Sequence, residues 1–444
     1  MNLPKNIVEY IKKEGIFKVI DQLETYKKDK VIRVMLAGDS ITATSGTGQI
    51  LAEWGAELVK HGFEVYAVAF KMQDIELTTT TGIKMLPAYY DIKSKKSINE
   101  FGSTIAKYIR KYNPHFFITF GDCHHLTNLA IGNINLSNSN CKFIHYETHD
   151  CEGMLNNWAI TNSGRKEVLL RTDKTITTTY YGKHELEKEF FKVDNVIPLF
   201  VDHTLFTPVS KSVKKIIREK YGIPKDAFVV FTCGRVQYRK RQEILIEGMC
   251  KLMCKHEDIY LVAYCPGYNE TNSMNLEEFI GRNMYRDYNR NFLNEGKIIF
   301  VTGKGVSLGR GMAKSIMVEF YIMSDLFLST SAGEGFGLCQ VESQLCGVPV
   351  LTPDNTSGKE IVGDKRMLLD TLPGISVGYG IKQKFTTPEE VEKKVEELYE
   401  SPNLRDELGK IGRKYCMKKF NKSIFINSWL KELKTKKVTN NGEI

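Results

Sequence analysis

Residues 331–338 read Ser331-Ala332-Gly333-Glu334-Gly335-Phe336-Gly337-Leu338, and Glu342, Gly347 and Pro349 follow. Glycines at 333, 335 and 337 let a backbone approach a ligand closely. The stretch opens a short predicted helix, whose free N–H groups and positive dipole end suit a phosphate. Gly347 stands where a helix C′ glycine belongs, and Pro349 lies just beyond. Glu334 falls on the loop and Glu342 about a turn inside the helix. Carboxylates so placed can accept hydrogen bonds from hydroxyls at opposite ends of one ligand, such as a hexose and a ribose. A helix-terminus charge and an exposed helix glutamate are the plainer alternative, which the surrounding glycines disfavour.

A second constellation, Cys233-Gly234-Arg235-Val236-Gln237-Tyr238-Arg239-Lys240-Arg241, follows a predicted strand at 228–233. Four cations in seven residues at a strand's carboxyl end form an anion site. The planar fork of Arg and the point charge of Lys together fit a diphosphate. A solvated basic turn is the alternative. In the first half, Gly121-Asp122-Cys123-His124-His125 and Glu147-Thr148-His149-Asp150 each close a predicted strand. His145 and His149 do not follow the zinc-protease order and their stretch is not helical, so no metal site is predicted. The run Gly303–Gly311 lacks the ending of a phosphate loop and reads as an ordinary loop.

The elements that must position these residues come in two series. Strands are predicted at 31–37, 63–70, 116–120, 142–146, 174–178 and 196–200, with a helix at 48–61. Another set is predicted at 228–233, 260–265, 298–301, 325–329 and 348–352, again with helices between. Alternation of this kind means α/β architecture: two Rossmann-like domains with parallel, doubly wound sheets facing a cleft. Ligands then bind beyond the carboxyl ends of the strands. The expected domains are 1–205 and 206–419. A last helix at 420–435 carries an apolar stripe (Ile424, Phe425, Trp429, Leu430, Leu433) that packs on the first domain or on its own.

A chain of 444 residues exceeds one hydrophobic core, and 42% hydrophobic with 26% charged residues is ordinary for a globular protein. The net charge of +9 calls for an acidic partner such as a nucleotide diphosphate or an anionic surface. No zinc finger or RNA-binding strand is visible, so nucleic acid is not expected as a partner. Ten scattered cysteines suit a reducing compartment. Cys250 and Cys254 read as small core residues of one helix face. A cytoplasmic location is expected. The amphipathic pattern at 7–23 and the basic clusters allow peripheral contact with a membrane surface.

Taken together, the glycine loop and the cationic loop resemble the family 4 glycosyltransferases, which have the GT-B architecture. The similarity extends to Val196–Pro208, which looks like that family's interdomain stretch, and to Lys220–Phe228. It also covers Ser45-Gly46-Thr47-Gly48, similar to an N-terminal glycine loop on the acceptor or phosphate side. The resemblance implies a retaining transferase that moves a sugar from a nucleotide diphosphate sugar to a glycan, lipid-linked or protein acceptor. It implies Arg235 and Lys240 on the diphosphate, Glu342 on the ribose and Glu334 on the sugar. The amides of Gly335, Phe336, Gly337 and Leu338 would lie near sugar and phosphate. His149 and Asp150 look like a pair close to the transferred sugar, whereas Asp122 is a catalytic candidate by position alone. Neither a cofactor nor a metal is implied. A non-catalytic sugar-nucleotide-binding protein is one alternative, which intact Glu334 and Glu342 disfavour. A GT-B-like sugar-nucleotide epimerase is the other, and the basic loop supplies none of the acid/base groups it needs.

Overall fold

The computed structural model describes residues 31–43, 45–69, 76–87, 95–121, 140–151, 169–266, 274–301, 312–375 and 381–434. Asp122, His124, His125, the stretch 7–23 and the loop at 303–311 lie outside these described residues.

The first lobe is an eight-stranded sheet ordered β3-β4-β2-β1-β5-β6-β7-β8. Its elements are β1 (Arg33–Gly38), α1 (Gly46–Lys60), β2 (Glu64–Ala69), β3 (Leu77–Thr78), β4 (Lys84–Leu86) and α2 (Lys95–Tyr112). They continue as β5 (Phe116–Gly121), β6 (Lys142–Glu147), β7 (Lys174–Thr177), α3 (Tyr180–Lys188) and β8 (Asn195–Val196). All pairings are parallel except that of β3 with β4. Strands such as Phe116–Gly121 are apolar on both faces because helices cover both sides of a parallel sheet.

The second lobe holds α4 (Lys211–Lys220), β9 (Phe228–Cys233), α5 (Gln242–Lys255), β10 (Ile259–Tyr264), β11 (Ile298–Phe300) and α6 (Lys314–Met323). Then come β12 (Leu326–Leu328), α7 (Leu338–Leu345), β13 (Val350–Pro353) and β14 (Leu368–Leu369). Its sheet is parallel with order β11-β10-β9-β12-β13-β14. The order reverses direction between β9 and β12, and a crevice opens where such neighbours send their loops to opposite sides. The cationic loop leaves β9 there, and the glycine loop leaves β12. In the first lobe the same reversal lies between β1 and β5, so the loop carrying Gly46 stands beside the end of β5.

Sequence reading missed an antiparallel hairpin of β15 (Leu372–Ile375) and β16 (Lys382–Phe385). It also missed the short strands β3 and β4. The expected strand at 196–200 ends at Val196. Pro198 has no N–H for the ladder, and Leu199 and Phe200 are buried as core filler instead. Cys250 is buried on α5 as expected, but Cys254 is exposed one turn later.

Three helices end the described chain: α8 (Pro388–Glu400), α9 (Pro402–Lys419) and α10 (Lys422–Glu432). Helix α10 lies on the first lobe. The Trp429 ring sits 4.3 Å from Trp54 of α1 and 5.1 Å from Tyr146 of β6. Glu53 of α1 pairs with Lys314 of the second lobe at 2.6 Å and with Lys422 of α10 at 3.0 Å. Because Trp429 is fully buried, Trp429→Ala is expected to cost about 3–5 kcal/mol of unfolding free energy. Guanidinium denaturation measures it, and a loss under ~1 kcal/mol would mean the helix is not docked.

Candidate functional site

The second-lobe loops are tied to each other before they meet any ligand. Ala332 N donates to Arg239 O at 2.7 Å, and Thr330 Oγ1 donates to Arg241 O at 2.7 Å. Lys240 Nζ is paired with Glu334 Oε1, and Arg239 Nη1 lies 3.5 Å from Glu334 Oε2. Burial pushes the Glu334 carboxyl up, but Lys240 and then Arg239 outweigh it and hold the group below its ordinary value. Glu334 is therefore an anion at neutral pH. Arg239 reaches across to the first lobe, where its Nε stands 3.2 Å from Asp150 Oδ2.

The glycine loop presses on the first lobe. A Cβ placed on Gly333 would lie 2.0 Å from the Asp150 carbonyl oxygen. One on Gly335 would meet the Thr148 backbone at 3.1 Å. Thr178 Oγ1, just past β7, donates to Gly335 O at 2.9 Å. Gly337 has φ +101°, a left-handed value that favours glycine, and precedes the first residue of α7, Leu338. Gly46 opens α1 opposite: a Cβ there would lie 2.7 Å from Leu338 Cδ1. Gly48 is a local requirement instead, since a Cβ would fall 2.4 Å from Ser40 O. The Phe336 side chain is buried against Phe420 at 5.2 Å, so only its backbone is left for a ligand.

Glu342 lies one turn along α7 and accepts from Tyr321 Oη at 2.7 Å. Burial pushes its carboxyl up to about 7, against the Tyr321 hydrogen bond and the Lys314 charge and with added repulsion from Glu53. The unfolded chain loses this proton near its ordinary value of 4.5 and the folded chain near 7. Between those values the native state binds more protons, so stability should fall as pH rises from 4.5 to 7 and level off above. The loss amounts to about 3 kcal/mol at most. Glu342→Gln should flatten that slope in urea melts run from pH 4.5 to 8; an unchanged slope would assign it to another group.

Arg235 is exposed, and its side chain makes no hydrogen bond or ion pair with any described residue. Its backbone oxygen accepts from Gln242 Nε2 at 3.2 Å, which holds the turn. His149 is buried behind Asp150, with Nδ1 3.6 Å from Glu147 Oε1. Glu147 Oε2 is 2.6 Å from His145 Nε2, and His145 Nδ1 is 2.8 Å from Thr119 Oγ1. This chain of fully buried side chains runs from Thr119 to His149, the residue before Asp150. No group of three or more His, Cys, Asp or Glu among the described residues could hold a metal ion.

Glu334, Lys240 and Asp150 thus converge at the junction of the lobes, with the backbone around Gly335 against Thr148. Glu342 sits deeper along α7, and Arg235 stands at the solvent edge. Sequence reading did not single out Arg239, although the cationic run contained it. Tyr321 carried no signal, because its pairing with Glu342 arises only when α6 packs beside α7.

Residues 303–415 match the family described as Glycosyl transferases group 1. EpsD of Bacillus subtilis (strain 168), which bears the name of a glycosyltransferase, is 24% identical over 274 residues, 61% of this chain and 63% of its own length. The sucrose-phosphate synthase structure from Thermosynechococcus elongatus superposes with a TM-score of 0.69 at 16% identity, covering 90% of this chain and 98% of that one. The chain has the GT-B fold, and its residues 303–415 resemble the group 1 glycosyltransferases.

The Anabaena HepE structure in complex with UDP-glucose shares the GT-B fold, with a TM-score of 0.63 at 15% identity over 90% of this chain and all of that one. The chain spans less than two thirds of the length of the first curated relatives it matches. Among the described residues of this GT-B fold, no helix is long and apolar enough to cross a membrane.

Proposed function

We propose that the chain transfers a glycosyl group from a nucleotide diphosphate sugar to an acceptor hydroxyl with retention of configuration, without a bridging metal or cofactor. The observation that carries this reading is the junction at which Lys240 and Arg239 hold Glu334 against Asp150 of the opposite lobe. As the C1–O bond breaks, negative charge grows on the leaving diphosphate. Arg235, Lys240 and the amides of Gly337 and Leu338 at the start of α7 stabilise that charge. Glu334 accepts hydroxyls of the transferred sugar, and Glu342 accepts those of the ribose. Asp150 faces the sugar from the first lobe with His149 behind it, close to the transferred sugar, and Gly46 stands on the acceptor or phosphate side. Asp122 is proposed beside them on its position after β5.

The domains are proposed as 1–205 for the acceptor side and 206–419 for the donor side, with α10 strapped across the first. The solved complex of HepE with UDP-glucose supports a uridine diphosphate sugar as the first donor to try. The acceptor is a glycan, a lipid-linked glycan or a protein, and a cytoplasmic location with contact at a membrane surface is proposed with it. The test is a panel of sugar nucleotides, scored by thermal stabilisation and by release of nucleoside diphosphate with and without a chelator. Stabilisation by one donor, with release insensitive to chelator, is expected. A panel with no stabilisation and no release sinks the assignment.

A further inference from the structure

We propose that the cavity beside Gly333 is a subsite for an uncharged, polyhydroxylated ring of the acceptor; this rests on the transferase reading. Tyr181 of the first lobe and Ala332, Asp354, Lys359, Gln383 and Lys384 of the second line about 180 Å³ of space there. That is room for roughly six waters at about 30 Å³ each, or for one sugar ring.

The deciding group is Gln383 on β16. It is 6% exposed, yet its Oε1 accepts no hydrogen bond among the described residues. Buried acceptors left in this state destabilise a fold and are rare in native proteins, so the oxygen awaits a donor. Gln383 Nε2 lies 3.6 Å from where a Cβ of Gly333 would be, which places the amide next to Asp150 and the Glu334 loop.

The wall around it is already organised. Asn355 Nδ2 donates to Ser331 O at 3.0 Å and to Lys384 O at 2.9 Å. Thr356 Oγ1 accepts the Glu334 amide at 3.1 Å. Asp354 Oδ1 stands 3.1 Å from Lys359 Nζ, so these two charges cancel and an ionic ligand gains little. What remains is an amide oxygen, a carboxylate and an ammonium side by side. That mixture suits hydroxyls, which donate and accept at the same oxygen. The ring of Tyr181 offers an apolar face to the C–H side of a sugar.

The experiment uses the full chain with D-glucose, D-mannose and myo-inositol as probes, followed by saturation-transfer NMR in the presence of UDP. Expected is contact with at least one of the three, weakened about tenfold by Gln383→Met and also by Asp354→Asn, as loss of a buried hydrogen bond implies. Gln383→Met should not lower the Tm, because it removes an unsatisfied oxygen, and UDP-induced stabilisation should match wild type. The subsite is overturned if none of the three contacts the wild type, or if both variants bind as wild type does. Sugar contact in a wild type that no sugar nucleotide of the panel stabilises would instead overturn the transferase reading and leave a ring-binding subsite standing.

Discussion

Lys240→Ala is expected to lower kcat/KM by about 10²–10³-fold, the usual effect of removing one preorganised contact to charge that develops in the transition state. Two roles meet in this ammonium. It is the leading favourable influence that keeps Glu334 ionised against burial. It also belongs to a cationic turn at the carboxyl end of β9, beside the start of α7, where a diphosphate would leave. Without it, Glu334 keeps Arg239 at 3.5 Å and the Ser331 hydroxyl, so its pKa must rise. The acidic limb of the pH–rate profile should therefore move to higher pH while the plateau drops. Lys240→Arg should recover part of the plateau, since the charge returns with a different geometry. Steady-state turnover with the stabilising donor, measured from pH 5 to 9, reads both effects. An unchanged plateau in Lys240→Ala would remove the lysine from the reaction.

The second large effect belongs to Gly333. One added methyl group would lie 2.0 Å from the Asp150 carbonyl oxygen, a backbone atom that cannot swing away as a side-chain end can. The lobes must separate, or the loop must shift, to admit it. Overpacking of this kind costs about 1–3 kcal/mol. If closure is what brings Asp150 and the Glu334 loop together around the sugar, Gly333→Ala should cut turnover about 10–100-fold through that cost alone. Small-angle scattering should show a wider separation of lobes, and circular dichroism should remain that of the wild type. Wild-type turnover in this variant would show that the contact between Gly333 and Asp150 is not part of the working state.

Much of this architecture was legible along the chain. Continuous apolar strands separated by helices dictated parallel sheets, because only crossovers connect parallel neighbours and helices must then cover both faces. The cationic run after β9 and the glycine run after β12 were readable for the same reason: each is a local departure from the pattern of its element. Other features had no such signal. Strands β3 and β4 are two and three residues long, too short for any period to show. The hairpin of β15 and β16 has strands of only four residues each, too short for a clear period, yet it brings Gln383 next to Gly333.

The amino-acid order by itself determined the two α/β lobes and the chemistry of the loops at 234–241 and 331–338, since neighbours in sequence are bound to be neighbours in space. Only the tertiary structure decided that Arg239 reaches Asp150, that Tyr321 holds Glu342, and that Trp429 straps the second lobe to the first. Those pairings join residues far apart in the chain. They depend on how helices and lobes pack, a sum of many weak contacts that no short stretch encodes.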